Sequence, residues 1–438
     1  MLNLAAVINS YKWKHPHPQL QIAWNLTEIG GLIFPFIPIA GLPFLLSALV
    51  LTWVKSNREI LSHPLNWGLA GLSGWLIIIS LTAPNPGEAG LGLANFLPFF
   101  LFFAAYSVSI QTPAQLRRLA WIFAIGALPI MLCGWGQIYW GWGGTVPIFG
   151  KLIELFTMVS GGDPPGRMAS IFMHANSLAA YLQMVFIFSL GITIDTYQQR
   201  PTNWQIRIAW LLLYLGLCSA CLVLTSSRSG WTIMVVSILM FTLYCGWYWA
   251  IGLVSALATV VLSAAYSPPP LKEPLRTIVP RYFWARITDE MYPDRPEAIT
   301  RLAQWKFAWK LTQERPLTGW GLQSFGKLYE AHAHLWLGYP HSLWLMLSSN
   351  VGIPATLSIC ALVGWILAQA TYLFLHFPPA WRSERTIFFT YLVAGLGFII
   401  FNINDVTLVD LRLNTLAWLV LASIYGLVRQ RGREISDI

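Results

Sequence analysis

The chain has 438 residues, of which 56% are hydrophobic and only 10% charged, with a formal net charge of +9. Soluble domains carry about a quarter charged residues, so a single water-soluble core is excluded and lipid must solvate much of the surface. The basic residues are spread between apolar runs, which excludes nucleic acid as a partner, and the 23 tryptophans suit a chain crossing many membrane–water interfaces.

The first 20 residues, with Lys12, Lys14 and the His15–Pro18 run, are too polar for a signal-peptide h-region. Residues 24–54 are an apolar run interrupted at Gly41-Leu42-Pro43, either one long span or a tight hairpin. Runs near 66–83, 91–110, 119–139, 169–194 and 207–226 are each long enough to cross about 30 Å of hydrocarbon. The run 229–265 has room for two passes, with the cluster Cys245-Gly-Trp-Tyr-Trp249 at its middle. A polar segment, 266–340, separates it from 342–376, which is interrupted at Gly352-Ile-Pro354, and from two further spans near 386–403 and 411–428. The five cysteines all fall within apolar segments and are expected to pack rather than to react.

Short basic loops occur at Lys55/Arg58, Arg117/Arg118, Arg200/Arg207 and Arg382/Arg385, with Arg429, Arg431 and Arg433 in the tail. One arrangement puts all of them in the cytoplasm with Lys12 and Lys14. It needs a hairpin at 24–54, two passes at 229–265 and one at 342–376. The expected fold is therefore an all-α polytopic bundle of about 12 spans, in three parts. Residues 1–265 form an N-terminal membrane bundle, 266–340 a large extracytoplasmic loop, and 341–438 a C-terminal bundle ending in a basic cytoplasmic tail. A rival arrangement, with one pass at 229–265 and two at 342–376, puts the loop inside. The aromatic cluster at 246–249 favours an interface there and hence two passes.

The loop carries ten Lys/Arg against seven Asp/Glu, with arginines at 276, 281, 286, 295, 301 and 315. Glu297–Gln313 lacks a helix breaker and predicts a helix lying on the membrane, Ile299, Leu302 and Trp309 on one face and Lys306 and Lys310 on another. Arg301 and Trp305 share a face at i,i+4 and are placed to stack. Next comes Pro316-Leu-Thr-Gly-Trp-Gly321, a turn where backbone approaches something closely. His332 and His334, two apart, do not align on one helix face, and no carboxylate or cysteine set completes a metal site. Read from the residues alone, His341 is an interfacial capping residue or a site histidine. Arg228, at a span end with no acidic neighbour in sequence, is a snorkelling cation or a ligand group. Asn176, a turn or two inside a span, is expected to bond a neighbouring helix.

Four segments together resemble the O-antigen ligase/polymerase superfamily of bacterial membrane proteins. Arg167-Met-Ala-Ser-Ile-Phe172 with Asn176-Ser-Leu-Ala-Ala-Tyr-Leu182 is similar to its Arg…Phe…Asn-x-Leu-Ala-x-Tyr-Leu segment. Ser226-Ser-Arg228-Ser-Gly-Trp231 is similar to its Ser-Arg-x-x-Trp turn. Arg301-x3-Trp305 followed by Pro316–Phe325 resembles its loop helix and glycine turn. His341-Ser342, nine residues and Gly352 resemble the ligase histidine motif, with Ala355 where that motif usually has glycine.

The resemblance implies a GT-C-type helical fold in the inner membrane with the loop in the periplasm. It implies metal-independent glycosyl transfer, without cofactor, from an undecaprenyl-pyrophosphate donor to a glycolipid, glycan or protein acceptor. The roles it suggests are general base for His341, pyrophosphate ligands for Arg228 and Arg301, and substrate lining for Arg167, Asn176, Trp305 and Gly321. Developing negative charge on a leaving diphosphate calls for such fixed cations. A ligase joins a finished glycan to its acceptor, a polymerase of the same fold extends it, and the histidine motif favours the ligase. From another class, some relatives are linked to bicarbonate uptake. A transporter of that kind calls for internal repeats and midplane charges, which the sequence lacks.

Overall fold

The computed structural model describes residues 14–148, 153–291 and 296–436. Lys12 and Arg295, used above for topology and loop charge, lie outside the described residues. Eleven described helical segments are long and apolar enough to cross a membrane.

The run 24–54 is a hairpin of α1 (Gln21–Ile33) and α2 (Pro38–Leu61), which pack along one another. The turn lies at Phe34–Ile37, not at Gly41-Leu42-Pro43. Gly41 serves the packing instead, because a Cβ there would sit 2.4 Å from the Phe34 backbone. The 13 residues of α1 reach about 20 Å at 1.5 Å per residue, short of the hydrocarbon thickness. The twelfth expected span is therefore a partial one.

After α3 (Pro64–Leu81), the next two runs are each assembled from a pair of helices: α4 (Pro86–Gly92) with α5 (Leu97–Ser109), and α6 (Pro113–Gly126) with α7 (Leu128–Tyr139). The start of α6 is fixed by a capping box between Thr112 and Gln115. A short antiparallel hairpin that sequence patterning did not anticipate, β1 (Gly144–Ile148) and β2 (Ile153–Met158), follows. Then come α8 (Ala175–Gln199), α9 (Trp204–Leu224), α10 (Arg228–Cys245) and α11 (Tyr248–Tyr266). The run 229–265 is thus two passes, broken where Gly246 adopts φ 71° to end α10.

The polar segment folds as α12 (Pro269–Ile278), α13 (Arg281–Ile287), α14 (Arg301–Glu314) and α15 (Ser324–Ala333). The helix predicted from Glu297 begins at Arg301, because Thr300 caps it by accepting from the Ala303 N–H at 3.4 Å. Leu302 and Trp309 are exposed on its outer face, and Lys306, expected on another face, is exposed between them, while Gln304, Ala308, Leu311 and Thr312 are buried on the inner one. The bundle closes with α16 (Leu343–Leu375), α17 (Arg385–Asn404) and α18 (Leu411–Ser436).

The most buried helix is α8. Its small residues permit close approach: a Cβ on Gly191 would strike the Thr390 hydroxyl of α17. Most of α3 and α11 faces outward with apolar side chains, which lipid can cover.

Polar contacts gather at two opposite ends of the bundle. At one end, Arg117 bridges Asp195 (2.9 Å) and Glu384, and Arg429 reaches Glu59 at 3.4 Å. The basic residues 55, 58, 117, 118, 200, 207, 382 and 385 all lie at helix ends on this side. At the other end lie residues 266–291 and 296–340 and the starts of α8, α10, α16 and α18.

Candidate active site

The site is built on a turn that precedes α8. The side-chain Oε1 of the fully buried Gln137 accepts from the N–H groups of Ala169 (2.9 Å) and Ser170 (2.7 Å) and fixes the turn against α7. This directs Arg167, only 5% exposed, inward. Its Nε donates to the Thr225 carbonyl at 2.8 Å and its Nη2 to Asn176 Oδ1 at 2.7 Å. Residues 167–174 thus lie outside α8, with a single 3₁₀ turn at Ser170–Phe172, and Asn176 stands in the first turn of α8 rather than deeper in the span. His174 caps that helix, its Nδ1 accepting from the Asn176 N–H at 3.2 Å.

Asn176 passes the chain of bonds onward: its Nδ2 donates to Asp405 Oδ2 at 2.7 Å. Asp405, between α17 and α18, also accepts from the Val406 N–H at 2.9 Å and pairs with His341 Nδ1 at 3.1 Å. Beside an ionised carboxylate, Nδ1 is the protonated nitrogen of His341. That leaves Nε2 without a hydrogen-bond partner among the described residues and free to take a proton. The His341 side chain is 24% exposed against 6% for Asp405, so the carboxylate is buried and the imidazole opens outward.

Burial opposes ionisation of Asp405, but the His341 hydrogen bond, the charges of His341 and Arg301 and the Val406 N–H outweigh it. The carboxyl is held below the ordinary carboxylate range. The same balance brings Arg301, first residue of α14, within electrostatic reach of the His341–Asp405 pair. His341 itself has φ 48°, a conformation costly for a non-glycine residue and one that clusters at functional sites.

Arg228 is the first residue of α10, one turn from the Thr225 carbonyl that Arg167 holds. The sequence showed no acidic neighbour, but the fold supplies one. Asp289, distant in sequence, accepts from Arg228 at 2.9 Å and from Arg286 at 3.1 Å. Arg286 in turn donates from Nε to the Ser226 carbonyl at 2.8 Å. Trp305 lies in α14 four residues after Arg301, and its indole N–H is buried without a hydrogen-bond partner among the described residues.

The glycine turn proves to be a joint. Helix α16 is broken at Gly352 (φ 77°, ψ 171°), which leaves carbonyls and an N–H without intrahelical partners. The turn 316–321 supplies them: Trp320 N–H to Ser349 O at 2.9 Å, Gly321 N–H to Asn350 O at 2.8 Å, and Ile353 N–H to Pro316 O at 2.7 Å. A Cβ on Gly319 would lie 2.4 Å from the Asn350 carbonyl carbon, and one on Gly352 would lie 2.4 Å from Leu317 O. Close backbone approach, expected from the sequence, is therefore approach to α16, and Gly321 belongs to it. Ala355, 1% exposed, fits where glycine is usual.

Arg167, Asn176 and His341 form one continuous network, with Arg301 close by and Arg228 one turn from its Thr225 anchor. Sequence reasoning missed Asp405, Arg286 and Asp289. A signal for Asp405 was available, since it and Asp410 are carboxylates set between two apolar runs. His332, weighed for metal, stacks on Phe307 at 4.7 Å.

No curated protein matches the chain, whereas residues 211–360 match the family model described as O-antigen ligase. That stretch runs from α9 into α16 and includes Arg228, Arg301, Trp305, Gly321 and His341.

Proposed function

We propose that this chain, a member of the O-antigen ligase superfamily and thus a glycan-transferring membrane enzyme, moves a glycan from an undecaprenyl-pyrophosphate carrier to an acceptor hydroxyl on the periplasmic face. The observation that carries the reading is the His341–Asp405 pair at 3.1 Å, tied through Asn176 to Arg167. A buried carboxylate that fixes the imidazole tautomer and offsets the charge of its protonated form is what a general base needs. Nε2 of His341 takes the proton of the acceptor hydroxyl as its oxygen bonds the anomeric carbon. The bond from that carbon to the diphosphate oxygen breaks, and the electron pair leaves with the lipid diphosphate. Arg228 and Arg301 hold the departing oxygens, whose growing charge needs fixed cations.

Sidedness follows from charge. Helix ends opposite His341 carry the short basic loops, as cytoplasmic ends do, so both termini are cytoplasmic and the segment 266–340 is periplasmic. The histidine motif favours ligase over polymerase.

A gel of surface glycolipids tests this in a strain lacking the gene, complemented with wild type or His341→Ala. Loss of long-chain glycan that only wild type restores supports transfer. Bare acceptor then marks a ligase, and single-repeat products a polymerase. A glycan profile unchanged by the deletion refutes the lipopolysaccharide reading.

A further inference from the structure

The end of the bundle opposite His341 carries a cavity that transfer chemistry leaves unused. It is open and has a volume of about 610 Å³, within the range of small-ligand pockets, about 300–1,000 Å³. Gln198 and Gln199 at the end of α8 line it, together with Arg382 and Ser383 of the 3₁₀ stretch Pro379–Glu384 that precedes α17. None of these residues is a carboxylate. Asp195 and Glu384, which adjoin them in sequence, both pair with Arg117, and Gln199 donates to Asp195 at 2.8 Å.

The cavity is therefore rich in donors. Thr386 donates to Gln198 Oε1 at 2.6 Å, which leaves the amide NH2 of Gln198 for another acceptor. Among the described residues, the Arg382 guanidinium and the Ser383 hydroxyl have no side-chain partner, and both residues are exposed. Arg385, three residues on, lies over the Phe374 ring at 4.6 Å, and its buried Nε has no hydrogen-bond partner among the described residues. Guanidinium, amide and hydroxyl donors gathered without a carboxylate suit a phosphate.

Apolar surface adjoins these donors. Helix α16 ends beside them, with Phe374 under Arg385 and with Tyr372 and Leu375 exposed by 64% and 65%. Phe377 packs on Trp381 with ring centroids 6.1 Å apart, immediately before Arg382. A phosphate that carries acyl chains gains from both surfaces, whereas a free phosphate gains from the donors alone. We infer that the cavity holds the phosphodiester headgroup of an anionic phospholipid. Arg382 is its charged ligand, Gln198 and Ser383 add hydrogen bonds, and the acyl chains lie along the end of α16. Basic pockets between spans at a cytoplasmic end are a recurring form of lipid recognition. The inference does not depend on the transfer reading, because no residue of the His341 network takes part.

The test uses purified full-length protein in a neutral detergent at low salt. It is melted with dioleoyl phosphatidylglycerol, with dioleoyl phosphatidylethanolamine or with inorganic phosphate, and native mass spectrometry counts the lipid retained. Phosphatidylglycerol should raise the melting temperature by about 2–4 °C, and the other two by less than about 1 °C. Arg382→Gln should abolish most of that rise and the retained lipid. Arg207→Gln, which removes an exposed charge from another basic loop at the same end, should keep both. Should Arg382→Gln melt early without lipid, the count of retained lipid still decides. Equal gains from the two lipids overturn the inference, as does inorganic phosphate matching phosphatidylglycerol. So does an Arg382→Gln variant that retains as much lipid as Arg207→Gln.

Discussion

Replacing Asp405 with asparagine removes a charge without changing the size of the side chain, and the hydrogen-bond chain around it has a fixed direction. Arg167 donates to Asn176, Asn176 donates to Asp405, and the Val406 N–H and His341 Nδ1 also point at Asp405. An asparagine at 405 brings an NH2 group into a place where every neighbour is a donor. If its amide nitrogen faces Asn176, two donors meet. If Asn176 flips to accept, its own NH2 faces Arg167. One buried donor is left unmatched in either case, at about 1–3 kcal/mol. The imidazolium formed during transfer also loses its counter-charge, 3.1 Å away. At an effective dielectric near 20 such a contact is of order 4 kcal/mol, and each 1.36 kcal/mol is tenfold in rate. The expected effect is a fall in kcat of about 10²–10³, with donor KM little changed because Arg228 and Arg301 remain. The assay is transfer by purified protein in nanodiscs, from a lipid-linked oligosaccharide to an acceptor, with melting curves to confirm folding. A folded Asp405→Asn variant within threefold of wild-type kcat, beside an inactive His341→Ala, would refute the dyad.

Three further outcomes are expected. Arg167→Lys retains the charge but cannot hold both the Thr225 carbonyl and Asn176 Oδ1; it should cost about 2–3 kcal/mol by denaturant melts, and glycan output should fall with it. Gly352→Ala places a Cβ 2.4 Å from Leu317 O at φ 77° and should destabilise by more than about 2 kcal/mol. Gly364→Ala in the same helix meets nothing within 4 Å and should be neutral or slightly stabilising in the same melts. Burial holds the His174 imidazole below its ordinary range, with Asp405 pulling the other way and Arg167 adding to burial. Because the folded pKa is depressed, the unfolded chain takes the proton first as pH falls below about 6.5. Stability should therefore decline from there until the folded pKa is reached. His174→Asn, which can still cap α8, should flatten that slope between pH 7 and 5, and parallel slopes for the two proteins would count against it.

Membrane residence, helix content and most spans were legible in the sequence, because lipid as solvent leaves long apolar runs few alternatives to helix. Local chemistry likewise announced the break at Gly246, the opening of α16 after His341 and the close-approach turn at Gly319 and Gly321. Sequence did not locate the 34–37 turn or the start of α14 at Arg301, since both depend on single packing or capping contacts. Nor did it show Asp405 behind His341, Asp289 between Arg228 and Arg286, or the turn 316–321 mending the break in α16. Each of these joins residues that are neighbours only in space. Hydropathy records which solvent a segment prefers, whereas a buried charge can be matched only by a partner that tertiary packing brings within hydrogen-bond distance.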